Sequence, residues 1–147
     1  MATLVWSDQA KAQQAFNVAA IAFKKWQYKS LSERACVLTK VADLLEESMA
    51  LLVALIVKEA GRVIKDAVDG VREAIDFCRY YANEGERSLS PQMLRGITGE
   101  DNALSYRGRG VMVAISPWNF PAAIFAGQIS AALMAGNAVI AKPAEQT

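Results

Sequence analysis

Val111-Met112-Val113-Ala114-Ile115 and Ala138-Val139-Ile140-Ala141 are short apolar runs, and the residues between them, from about Ala122 to Ala135, read as one apolar helix. Gly110 and Pro117 bound the first run, and Gly136-Asn137 separates the helix from the second. Uninterrupted apolar runs of this length are the pattern of buried parallel strands. Strand, helix and strand with short joins make a βαβ unit, for which a right-handed crossover is expected. In the helix, Ile124, Gln128, Ala131 and Ala132 share a face by spacing. Two strands are not a finished sheet, because doubly wound domains carry about five or six. The sequence ends at Thr147, directly after the second run. A longer parent protein is therefore expected. With it goes an uncovered sheet edge prone to swapping, self-association or disorder near the C-terminus.

Upstream the pattern changes from strand to helix. Ser7 is a plausible N-cap for a helix over about Asp8 to Trp26. Ser30-Leu31-Ser32-Glu33 has the spacing of a capping box, in which hydroxyl and carboxylate each satisfy an orphan amide. Val37, Val41, Leu44, Leu45, Leu52, Leu55 and Ile56 then recur as one face of a long amphipathic helix, with Lys58 favouring its C-terminal dipole and Gly61 ending it. A third helix carries Val68, Val71, Ile75, Cys78 and Tyr81, and Gly85 is read as its end. Residues from Ser88 to Asn102 contain Pro91, Gly96 and Gly99 and read as a connection. Ala103 to Arg107 then forms a short strand, and Gly108-Arg109-Gly110 a turn. The expected organisation is a helical part over 1–87, a connection with one short strand over 88–110, and an incomplete βαβ unit over 111–147.

Composition narrows the function classes. The chain has 147 residues, 53% of them hydrophobic and 21% charged, with a formal net charge of +1. That is one domain's worth of globular protein without a basic patch, so nucleic-acid binding has no electrostatic support. Histidine is absent and the only cysteines are Cys36 and Cys78, which leaves no His-based triad or zinc constellation and no expected metal. Both cysteines sit in helical patterns and read as packing residues of a protein from a reducing compartment. No signal peptide is visible at the N-terminus, and no run reaches the roughly 18–20 apolar residues of a membrane span. A cytoplasmic location is the expectation.

Ligands of open α/β sheets bind beyond the C-terminal ends of the strands. Two segments lie there, Ser116-Pro117-Trp118-Asn119-Phe120-Pro121 and Lys142-Pro143-Ala144-Glu145-Gln146-Thr147. The neutral amide of Asn119 could stabilise an oxyanion, although from spacing alone an N-cap for the next helix is the commoner role. Lys142 and Glu145 could hold ribose hydroxyls, or form only an exposed ion pair of little worth, and spacing alone favours the pair. Trp118 and Phe120 suit either an aromatic wall or a core. Neither G-x-G-x-x-G nor a Walker A pattern is present.

These two segments, with Ala135-Gly136-Asn137 between them and Lys58-Glu59-Ala60-Gly61-Arg62 upstream, resemble the aldehyde dehydrogenase superfamily in order and spacing, over essentially the whole chain. Val71 to Tyr81, Thr98-Gly99-Glu100, Tyr106 to Gly110 and Ile124 to Gln128 look like the branch acting on L-glutamate γ-semialdehyde. The resemblance is nearest to the dehydrogenase half of the bifunctional proline utilization A family, which joins it to a flavin-dependent proline dehydrogenase. It implies an α/β fold in which N-terminal helices precede the first βαβ unit of a Rossmann-like NAD-binding domain, here truncated. It implies NAD as cofactor, a small aldehyde as substrate and a homo-oligomeric parent. A proline dehydrogenase domain in the same parent chain is allowed. Asn119 would be the oxyanion-hole amide. Lys142 and Glu145 would hold the adenosine ribose, and Ile115, Ser116, Pro117 and Trp118 would lie along the cofactor. Phe120 would pack on the substrate's aliphatic part, with Glu73 facing its amino group.

The family mechanism uses a cysteine thiolate that attacks the aldehyde, hydride transfer to NAD and a glutamate-activated water. Cys36, Cys78, Glu59 and Glu100 match neither role, so this segment alone is expected to be inactive. Another small aldehyde as substrate, or a non-catalytic helical scaffold, are the competing readings.

Overall fold

The computed structural model describes residues 6–146. The N-terminal residues before Trp6, where a leader was sought, and Thr147, the last residue of the second motif, lie outside the described residues. The elements in order are α1 (Gln9–Trp26), α2 (Leu31–Glu47), α3 (Met49–Ala60), α4 (Ile64–Ser88), β1 (Gln92–Leu94), β2 (Asn102–Leu104), β3 (Val111–Ile115), α5 (Ala123–Met134) and β4 (Ala138–Lys142). Helices therefore precede one βαβ unit, as the sequence predicts.

The helix starts follow from local hydrogen bonding. Asp8, not Ser7, caps α1: its carboxylate accepts from the Lys11 amide at 2.8 Å. The cap falls one residue later than the sequence reading, and a carboxylate there also meets the positive end of the helix dipole. The α2 capping box forms as expected. The Glu33 amide donates to Ser30 Oγ at 3.1 Å, and the Ser30 amide donates to Glu33 Oε2 at 2.8 Å. Bonds from Lys29 and Ser30 hold the Glu33 carboxyl well below the usual range, at about 2.

The expected long second helix is two helices. Ser48 (φ −92, ψ 5) leaves helical geometry between α2 and α3. The break lets Met49, Leu52, Val53 and Ile56 wrap the cluster of Ala42, Val71, Ile75 and Cys78. The buried face of α2 also differs from the one expected. Ala35, Leu38 and Ala42 face inward, whereas Val37, Val41 and Leu44, with Leu55 of α3, are exposed. Two of the three are alanines, which leave room for α4, and Leu38 packs with Ala82 and Met134. Gly61, at φ 65, ends α3 in the left-handed conformation as the sequence predicts.

The centre of the helical layer is α4, whose buried residues Ala67, Val71, Ala74, Ile75, Cys78, Ala82 and Gly85 repeat at three- and four-residue spacing. It packs against α2, α3 and α5. Arg79 braces it to α2 through Asp43 at 3.2 Å and Glu46 at 2.5 Å. Gly85 does not end the helix, which runs on to Ser88. A Cβ at Gly85 would lie 2.2 Å from Met134 Cγ, so this glycine makes room for α5. Cys78 is buried in the core, as expected, but Cys36 is exposed and is not a packing residue.

The connection holds two strands rather than one. β1 pairs antiparallel with β2 through Gln92↔Leu104, Met93↔Ala103 and Leu94↔Asn102, and β2 sits slightly earlier than the strand expected over Ala103 to Arg107. β3 and β4 pair in parallel from Val111↔Ala138 to Ile115↔Lys142. Asn137 pins their start. Its Oδ1 accepts from the Arg109 and Gly110 amides at 2.6 and 3.2 Å, and its Nδ2 donates to the Ala132 carbonyl at 3.2 Å. Gly108 passes so close to Gly136 that a Cβ would stand 2.2 Å from the Gly136 carbonyl oxygen. The fully buried strand expected at β3 is not what is seen: only Ala114 is buried, and Val113 and Ile115 are 61% and 67% exposed. A two-stranded sheet leaves each strand an open edge.

Gly85→Ala tests the α4–α5 contact. Alanine gains about 1 kcal/mol of helix propensity, but overpacking a filled core costs about 1–3 kcal/mol. With Met134 enclosed by Ala35, Leu38 and Ala82, the clash should win and lower the denaturation midpoint. A higher midpoint would show that α4 and α5 stand further apart.

Candidate functional site at the C-terminal ends of β3 and β4

The last bond of the parallel ladder brings the two motifs together. The Ser116 amide donates to the Lys142 carbonyl at 3.1 Å. Ser116 is buried, and its hydroxyl donates to Gln128 Oε1 on α5 at 3.0 Å. The loop thus leaves β3 tied both to β4 and to α5. Ile115 and Pro117 flank this anchor, and Trp118, at 60% exposure, stands clear of it. Among the described residues Trp118 therefore takes no part in the core.

Asn119 is exposed at the crest of the loop. The N-cap position of α5 belongs to Ala122 and carries no side-chain bond, so the capping role is not taken by Asn119. Its amide has no hydrogen-bond partner among the described residues. Its backbone carbonyl accepts from Arg62 Nη1. The same guanidinium lies over the Phe120 ring, 4.8 Å from its centroid, and 3.6 Å from the Asp66 carboxylate. Phe120 and Pro121 close a narrow crevice against Ile56, Arg62, Asp66 and Gly70. Glu73 is exposed on α4, one turn beyond Gly70. Arg62 was not among the residues singled out as functional by the sequence, although it ends the family-like segment Lys58-Glu59-Ala60-Gly61-Arg62, where a helix stops and the chain turns toward the loop.

On the neighbouring strand end, Lys142 Nζ donates to Glu145 Oε2 at 2.8 Å. The pair is half-exposed, so as an ion pair it adds little stability. The Lys142 ammonium, and then its own backbone amide, hold the Glu145 carboxyl below the usual range. A donor and an ionised acceptor side by side at a strand end match the two hydroxyls of a ribose, so these residues fit the adenosine end of a dinucleotide. A larger apolar groove of about 750 Å³ lies elsewhere, between α1 and β4, and none of the residues of the two motifs line it.

Burial raises the pKa of the Cys78 thiol, and a bond from Ser130 only partly opposes this. A thiol in that state is a poor nucleophile. No helix of the described residues is long and apolar enough to cross a membrane.

The aldehyde dehydrogenase family model matches residues 1–147. The bifunctional protein PutA of Salmonella typhimurium is 43% identical over 141 residues, covering 96% of this chain and 10% of that protein. A crystal structure of a proline utilization A variant from Bradyrhizobium japonicum has a TM-score of 0.96 at 50% identity, covering 98% of this chain and 15% of its own. The 1-pyrroline-5-carboxylate dehydrogenase from Thermus, solved with bound NAD, has a TM-score of 0.91 at 39% identity, covering 95% of this chain and 27% of its own. The chain spans about a tenth of the length of the curated PutA relatives it matches.

The Lys142–Glu145 pair has a direct test in pH. Because the folded carboxyl is lowered, the pair's contribution is complete above the ordinary value of 4.5 and fades as pH falls through the lowered one. Lys142→Ala should return the Glu145 titration, followed by NMR, toward 4.5. An unchanged titration would mean that the pair does not form in solution.

Proposed function

The chain belongs to the aldehyde dehydrogenase family, and from that premise we propose that it is the N-terminal part of an NAD-dependent dehydrogenase that oxidises L-glutamate γ-semialdehyde to L-glutamate in proline breakdown. The observation that carries this reading is the Ser116–Lys142 bond. It sets the free amide of Asn119 and the Lys142–Glu145 pair on adjacent strand ends. The names of the relatives, PutA and 1-pyrroline-5-carboxylate dehydrogenase, support the choice of substrate.

In the net reaction the aldehyde and one water become a carboxylate, one hydride is passed on and two protons leave. NAD, when bound, supplies the hydride acceptor. The residues of this chain orient and stabilise. Asn119 Nδ2 donates to the aldehyde oxygen as negative charge gathers there, and a neutral donor already in position needs no reorganisation. Ile115, Ser116, Pro117 and Trp118 form the wall along the cofactor. Lys142 donates to, and Glu145 accepts from, the adenosine ribose. The Glu145 charge also opposes a 2′-phosphate, which favours NAD over NADP. Phe120 packs on the methylene groups of the substrate, and Glu73 faces its ammonium group.

The cysteine nucleophile and the general base belong to chain beyond these residues, so the segment alone is expected not to oxidise aldehydes. A cytoplasmic, homo-oligomeric parent is part of the same reading, with a flavin-dependent proline dehydrogenase domain as its expected companion.

In the complete dehydrogenase, Asn119→Ala should lower kcat by about 10²–10³-fold, the usual loss for one oxyanion donor. Glu145→Gln should narrow the preference for NAD over NADP measured as kcat/KM. Full activity in Asn119→Ala would remove the oxyanion assignment, and an unchanged cofactor preference would remove the ribose assignment.

A further inference from the structure

We infer that Arg62 is a positioning residue for Asn119, clamping the loop that aims the oxyanion-hole amide. The inference rests on the proposed role of Asn119. It adds a residue from the helical layer to the site.

The loop from Ser116 to Ala122 is held firmly at its ends. At one end Ser116 bonds to Lys142 and Gln128. At the other the Phe120 and Ala122 carbonyls accept from Ile124 and Ala126, the first turn of α5. Between these anchors stand Trp118 and Asn119, both exposed. Arg62 reaches this middle section from the turn after α3. Its guanidinium donates to the Asn119 carbonyl and covers the Phe120 ring at 4.8 Å.

Two successive residues of the loop are therefore fixed by one planar group. Pinning the carbonyl of a residue restricts the peptide plane, and with it the direction in which that residue's Cα–Cβ bond points. Asp66, 3.6 Å from Nη2, holds the guanidinium from the other side, and the Arg62 side chain is 20% exposed. Arginine suits this duty because its fork can bond, pair and stack at once, whereas a lysine ammonium offers a point charge.

Free rotation of the loop would move the Asn119 amide off the position of the developing oxyanion. A misplacement of ~1 Å can cost ~10²-fold in rate. The loss should appear in kcat more than in KM, because the bond to the oxyanion strengthens only as charge develops.

The experiment combines kinetics on the complete dehydrogenase with amide hydrogen exchange on this chain. Arg62→Gln should lower kcat by roughly 10–100-fold with little change in KM, and Arg62→Lys should recover part of the loss. Adding Arg62→Gln to Asn119→Ala should cost little more, because the amide that Arg62 aims is already gone. Exchange at the Ile124 amide, which donates to the Phe120 carbonyl, should quicken in Arg62→Gln while α2 and α4 keep their protection. Three results would overturn the inference: unchanged kcat in Arg62→Gln beside a large loss in Asn119→Ala, full additivity in the double variant, or exchange that rises throughout the helices. Asn119→Ala at full rate would instead remove the reading on which the inference rests, and the inference with it.

Discussion

One backbone hydrogen bond, from the Ser116 amide to the Lys142 carbonyl, brings two motifs that are distant in sequence to neighbouring strand ends, where the proposed site needs them. It closes a parallel ladder whose register runs from Val111↔Ala138 to Ile115↔Lys142. A slip of one residue would turn every side chain of one strand to the opposite face and separate the motifs. Asn137 guards against that slip at the other end of the ladder, where it ties the turn before β3 to the end of α5. The polar groups it satisfies are partly buried, where leaving them unpaired would cost about 1–3 kcal/mol each. A residue at the far end of the ladder thus sets the alignment on which the proposed chemistry depends.

The helical layer supplies the second constraint. The buried face of α4 is rich in alanine, and Gly85 leaves the space that Met134 of α5 fills, which keys the two helices together. The loop before α5 inherits that rigidity from one side and the strand anchor from the other. Arg62 extends the same buttress, joining the end of α3 to the crest of the loop. The residues proposed to meet cofactor and substrate, by contrast, are mostly exposed: Trp118, Asn119, Lys142 and Glu145 stand on a rigid frame with their polar groups outward.

Much of this was legible in the sequence because it depends on local rules. The Ser30–Glu33 capping box, the Gly61 stop and the βαβ unit each have a spacing that local geometry requires, and all three are observed. The failures share a cause, which is that tertiary packing chose between local options. Gly85 reads equally as a helix end or as a cleared space, and only the presence of Met134 decides. Val37, Val41 and Leu44 form as good an apolar stripe as Ala35, Leu38 and Ala42, and only the docking of α4 decides which stripe is buried. β1 is three residues long between Pro91 and Gly96, too short for any alternation to register. For the site, the two motifs were visible as segments at strand ends. Arg62 was not, since its partners on the loop are distant in sequence. The capping alternative for Asn119 could be dismissed only once Ala122 was seen at the cap.

The most direct test of the account is whether the two strand ends bind one ligand together. Amide hydrogen exchange of the complete dehydrogenase, with and without saturating NAD, reads both ends in one experiment. The account predicts slower exchange at the loop from Ser116 to Asn119 and at Ala144 to Gln146 over the same range of NAD concentration. Protection at only one of them, or at neither while NAD is bound, would contradict a single shared site.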